Sequence, residues 1–137
     1  MNVKVNIRTI QYDEKGDKDI IDVDAIGKLY KKNEDIYVVY KEVEESNETT
    51  TTIKISKEEI SIKRFGQVNS NMTFKKDKTS VTKYTTPQGL FIIETDTKDL
   101  SINIKEDYIK LSIDYNIKIM DIFEGKNKIQ INIQNIM

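Results

Sequence analysis

Arg64 is the side chain best equipped for chemistry in this 137-residue sequence. It follows Ile60 and Ile62 at a spacing of two, so a straight strand turns its guanidinium to the same side as those isoleucines. A guanidinium among apolar side chains needs a carboxylate or several acceptors, and otherwise invites an anionic ligand. Lysine outnumbers arginine about ten to one, so arginine at this position points to a bidentate role. Two arrangements are open. Arg64 points inward, or a bulge at Gly66 brings Phe65 inward and leaves Arg64 at a rim or paired with a structural glutamate.

Tyrosines form the second group. Tyr40, Tyr84 and Tyr115 fall on the inward parity of their segments, whereas Tyr30 and Tyr37 fall on the other. With Thr86, and with Glu94 in phase with Leu90 and Ile92, they are expected to line a polar cavity around Arg64. The alternative is ordinary core packing, each hydroxyl satisfied locally. The carboxylate clusters read as solvated surface. Asp22 and Asp24 alternate with Ile21, Val23 and Ala25 and face outward, and Glu42/Glu44/Glu45 and Glu58/Glu59 crowd near turns. A glycosidase would need two carboxylates facing each other about 5–10 Å apart. The acidic run Asp13–Asp19 lacks the spacing of a calcium loop and reads as a hairpin turn.

Cysteine, histidine and tryptophan do not occur. That removes thiol nucleophiles, Cys/His zinc sites, Ser-His-Asp triads and imidazole proton shuttles. With five glycines, none spaced as a phosphate loop, no nucleotide cradle is expected, and no catalytic residue, metal or cofactor is assigned. Lys+Arg 22 against Asp+Glu 23 gives a net charge of −1, with lysines spread among acids, so neither nucleic acid nor a membrane surface is an expected partner. The N-terminus alternates polar and apolar residues without the apolar core of a signal peptide, and no stretch approaches the ~20 apolar residues of a membrane span. The expected compartment is the cytoplasm, and the sequons at Asn47 and Asn71 are read as chance.

These side chains need a scaffold, and the spacing of the apolar residues names it. Period two dominates: Val3/Val5/Ile7, Ile21/Val23/Ala25, Ile36/Val38/Tyr40, Ile53/Ile55, Ile60/Ile62, Met72/Phe74, and the unbroken run Ile109, Leu111, Ile113, Tyr115, Ile117, Ile119. Lys57–Ile60 is the one place for a short helix. Turn-like breaks fall at Asp13–Asp17, Lys31–Asp35, Glu45–Asn47, Ser56–Glu59, Lys75–Lys78, Thr86–Gly89, Thr97–Asp99, Lys105–Asp107 and Glu124–Asn127. Connections this short join antiparallel strands. The pattern predicts an all-β chain, residues 1–137 as one domain, with about 8–11 strands in a closed antiparallel up-and-down barrel. A phase change after Ile7 predicts a bulge near Arg8–Thr9. Ile36–Tyr40 and Leu90–Ile93 are apolar on both faces, so Tyr37, Val39, Phe91 and Ile93 are expected to form an outer surface for a homodimer or another partner.

Arg64-Phe-Gly66, Met72-Thr-Phe74 and Tyr84-Thr-Thr-Pro-Gln-Gly89, the last leading into an apolar strand that ends Thr95-Asp-Thr97, carry a resemblance. With a strand of the Ile113-Asp-Tyr115 kind following, the sequence resembles the YwiB-like family of small Gram-positive bacterial proteins over most of its length. The resemblance implies a calycin-like, lipocalin-like barrel and no activity, since the family's function is unknown.

The leading expectation is therefore a barrel that binds a small, partly apolar or anionic molecule, with Arg64 as anchor and Tyr84, Tyr40 and Tyr115 as wall. The alternative is an assembly protein with a filled barrel. Nothing in the sequence asks for an enzyme.

Overall fold

In a computed structural model, residues 1–136 are described, Glu44 without its side chain, so that member of the acidic cluster lies outside the described residues. Ten strands follow one another: β1 (Asn2–Tyr12), β2 (Lys18–Lys32), β3 (Asp35–Glu44), β4 (Asn47–Ile55), β5 (Glu59–Gly66), β6 (Ser70–Lys75), β7 (Thr79–Thr86), β8 (Gly89–Ile104), β9 (Tyr108–Ile119) and β10 (Phe123–Asn135). The described residues contain no helix, and Glu59 and Ile60 open β5. Among the described residues no helix is long and apolar enough to cross a membrane.

Every pairing is antiparallel, and the order β6-β5-β4-β3-β2-β1-β10-β9-β8-β7 is a meander in which the first and last strands of the chain lie side by side. The turn chemistry sets the register. Asn33 and Glu34 both adopt positive φ, 53° and 75°, the geometry that lets a two-residue loop follow strand twist. The meander curls until β6 meets β7. There Asn69 and Thr85 exchange two main-chain hydrogen bonds, at 3.0 and 2.9 Å, and the Thr82 hydroxyl donates to the Asn71 carbonyl at 2.9 Å. The barrel is nearly, not fully, closed.

Three expectations about the strands are corrected. β1 pairs with both neighbours in unbroken register, so there is no bulge at Arg8–Thr9; Ile10 and Tyr12 lie on the outer phase and Thr9 and Gln11 on the inner one. Thr97–Asp99 is not a turn but a bulge within β8, where pairing passes from Thr97↔Tyr115 to Asp99↔Asp114. One extra residue there moves the inward phase from Phe91, Ile93, Thr95 and Thr97 to Leu100 and Ile102. Glu124–Asn127 is not a turn either. The chain reverses at Met120–Ile122, with Met120 at φ 49°, and β10 runs through Gly125.

The core is isoleucine-rich and uneven along the barrel axis. Val3, Val5, Ile53, Ile55, Ile60, Ile113, Ile131 and Ile133 are fully buried. Towards the other ends of the same strands, Ile7, Thr9, Ile62 and Ile119 are half-buried. One end of the barrel is packed solid, and the other retains interior space.

Candidate functional site: the barrel interior

That space is a cavity of about 620 Å³ to which all ten strands contribute side chains. The volume falls within the roughly 300–1,000 Å³ of small-molecule sites. Its floor and walls are apolar: Ile62, Met72, Phe74, Phe91, Ile93, Ile117 and Ile129. Its polar groups are Thr9, Gln11, Tyr40, Glu42, Thr51, Arg64, Ser70, Tyr84, Tyr115 and Asn127.

Arg64 is held inward by the ladder. Thr51↔Arg64 and Ile53↔Ile62 pair across β4 and β5, and the buried Thr51 and Ile53 fix that face as the interior. Phe65 is 69% exposed on the outer face, so Gly66 does not bring it inward. The guanidinium Nη2 stands 3.6 Å from Glu42 Oε2, and both side chains are about one-third exposed (31% each). Charge-assisted pairs close to about 2.8 Å when they are the best partner available. This ion pair is loose and leaves the fork of donors open to the cavity. Both features weighed in the sequence meet here: Arg64 is inward and is also paired with a glutamate.

Tyr40 and Tyr115 are buried, and Tyr84 is half-buried at the mouth. Tyr115 packs on Phe74 with ring centroids 4.8 Å apart, and its hydroxyl accepts a hydrogen bond from Asn127 Nδ2 at 3.0 Å. Burial raises its pKa, with the Asn127 bond acting against the shift. The Tyr40 hydroxyl is pushed up to about 12, first by burial and next by the neighbouring Glu42 carboxylate, while Arg64 pulls the other way. Both phenols therefore stay neutral donors throughout the ordinary pH range. One buried polar atom on the cavity wall, Asn127 Oδ1, has no hydrogen-bond partner among the described residues, while the Thr51 hydroxyl meets that of Tyr40. A buried unpaired polar group costs about 1–3 kcal/mol, so the interior presents unspent hydrogen-bonding capacity.

Two of the expected site residues are not brought into the cavity. Glu94 is exposed on the outer face of β8, beside Asp96 and Lys118. The physical reason is register. Thr82↔Ile93 and Tyr84↔Phe91 put the odd-numbered residues of β8 opposite inward residues of β7, so Leu90, Ile92 and Glu94 turn out. Thr86 holds the inward phase, but its hydroxyl is spent in the turn, donating to the Gly89 carbonyl and accepting from Gln88 N, each at 3.2 Å. The same register corrects the expected outer surface: Phe91 and Ile93 line the cavity, and only Tyr37 and Val39 lie outside. Tyr37 is already covered in part by stacking on Tyr30, with centroids 5.7 Å apart. Asp22 and Asp24 face outward as expected, tied to β1 through Asn6 and Arg8. Arg8 and Asn6 hold the Asp22 carboxyl below the usual carboxylate range.

Sequence reasoning missed Glu42, Thr51 and Asn127. Glu42 continues the inward phase of Val38 and Tyr40, and Asn127 that of Ile129, Ile131 and Ile133. Polar residues at the end of an apolar phase were the available signal. Among the described residues no group of acidic side chains is placed to hold a metal ion.

With this geometry in hand, comparison with known proteins adds the following. A family described as a domain of unknown function, DUF1934, matches residues 5–131. The chain is 24% identical over 119 residues to the uncharacterized beta-barrel protein YwiB of Bacillus subtilis (strain 168), over 87% of this chain and 83% of that protein. The crystal structure of the ywiB protein from Bacillus subtilis superposes with a TM-score of 0.87 at 21% identity, covering 99% of this chain and 92% of that one. The resemblance seen in the sequence and the ten-stranded barrel agree with these findings.

Proposed function

The chain belongs to the family of the domain of unknown function DUF1934, and within that family we propose that this member binds a small, partly apolar, anionic molecule in the barrel interior. The observation that carries the reading is the cavity of about 620 Å³ with an inward arginine at its mouth. Filled barrels spend such a volume on their own side chains. Here the wall offers apolar area to a ligand's body, the Arg64 fork to its charge, and the Tyr40, Tyr84 and Tyr115 hydroxyls and the unpartnered Asn127 oxygen to its polar atoms. A cysteine-free composition suits a cytoplasmic setting, which we propose as well.

The test is native mass spectrometry of freshly purified protein, followed by denaturing mass analysis of the same sample. Added mass that leaves on denaturation supports the reading and identifies the chemistry. A bare chain that also takes up no anilinonaphthalene sulfonate, an apolar monoanion, contradicts it.

A further inference from the structure

The barrel wall is split beside the cavity. β2 and β3 pair only from Lys32↔Asp35 to Gly27↔Tyr40. Beyond that fork, Lys18–Ile26 stay on β1 and Lys41–Glu44 stay on β4, both in unbroken register, and the two strands part. Gly27 marks the fork: a Cβ there would stand 2.6 Å from the Val39 carbonyl oxygen, so the strands are pressed together just before they diverge. Along the divergence each strand has one edge without a main-chain partner among the described residues. Natural barrels close such edges, because a row of free N–H and C=O groups is a template for pairing.

The split holds a groove of about 580 Å³, and Val23, Glu42 and Arg64 line both the groove and the interior cavity. Arg64 thus stands in the doorway between an apolar chamber and a slot edged by free amides. Resting on the binding reading above, we infer that the ligand is an elongated N-acylated amino acid or short acyl-peptide. Its acyl chain lies in the barrel, its carboxylate reaches Arg64, and its amide pairs with the open edges of β2 and β3. The slot also carries Asp24, Glu45 and Lys41, so it favours a head that donates hydrogen bonds as well as carrying negative charge, and a bare fatty acid lacks that donor. Strand addition of this kind draws affinity from main-chain hydrogen bonds.

The test compares N-dodecanoylglycine with dodecanoate, both below micelle formation, by displacement of anilinonaphthalene sulfonate from the whole chain. The expected result is that N-dodecanoylglycine binds roughly tenfold tighter, the worth of one or two net hydrogen bonds. A second measurement places the head. Val43→Trp puts a single indole at the rim of the slot, at a position 68% exposed, in a chain without tryptophan. Its emission should shift in step with N-dodecanoylglycine binding. Equal affinity for the two amphiphiles, or an indole that does not respond while binding proceeds, overturns the inference and leaves the cavity reading standing. Failure of both amphiphiles and of the dye to bind defeats the cavity reading itself.

Discussion

Arg64 and Glu42 face each other across the cavity mouth with opposite charges, which makes them opposite levers on an anionic ligand. Arg64→Gln should weaken anilinonaphthalene sulfonate binding by roughly tenfold or more, the cost of a lost charge-assisted hydrogen bond. Glu42→Gln removes the competing carboxylate and should tighten it, as equilibrium dye titrations of the two variants will show. Thr51→Val removes the hydroxyl that meets the buried Tyr40 hydroxyl. It should lower stability by about 1 kcal/mol, read by thermal unfolding, and weaken ligand binding at the same time. The phenols set the alkaline limit. Tyr40 titrates near 12 in the fold against 10.0 when free, and Tyr115 is shifted in the same direction. A raised folded pKa contributes stability that is complete below pH 10 and lost as pH climbs towards 12. Urea unfolding should therefore weaken across that window, and Tyr40→Phe should flatten the fall by roughly 2 kcal/mol. At this scale the sequence was legible where the phase was unambiguous. Arg64 follows Ile60 and Ile62, and Tyr115 sits inside an unbroken run. It was not legible at Glu94, because Leu90-Phe-Ile-Ile93 is apolar on both faces and only pairing with β7 chooses between them.

Strand existence was readable throughout, since period two and short turn-rich breaks leave little else for the chain to do. Boundaries failed where a polar cluster did not make a turn. Thr97-Lys-Asp99 looks like a reversal, but β8 bulges there and continues on β9. Glu124-Gly-Lys-Asn127 looks like a hairpin tip, but Lys126 and Asn127 pair with Tyr12 and Gln11 of β1 and with Asn116 and Tyr115 of β9. The split between β2 and β3 was invisible, because both strands alternate correctly and only the missing ladder between them opens it. Gly27 holds that fork. Gly27→Val would drive a side chain into the Val39 carbonyl and should cost about 1–3 kcal/mol, measured by urea unfolding. A variant as stable as the parent would show that the strands are not pressed together there.

As a whole molecule, the barrel is packed at one end, hollow at the other, and weakly joined at two seams. Hydrogen exchange should report this gradient. Amides of Leu111–Ile113 in β9 and Ile131–Ile133 in β10 should exchange slowest, and those of β2 that face the split should exchange fast. The β6–β7 seam rests on the Asn69–Thr85 bridge and the Thr82 hydroxyl. Thr82→Val should accordingly open amides at the seam before it lowers global stability. Uniform protection around the barrel would contradict both seams. The central claim, an interior site at the hollow end, is tested most directly by methyl-labelled isoleucine NMR during titration with anilinonaphthalene sulfonate. Shifts are expected at Ile62, Ile93, Ile117 and Ile129, with Ile20 on the outer surface and Ile55 and Ile133 at the packed end left in place. Shifts confined to the outer isoleucines, or none, would contradict it.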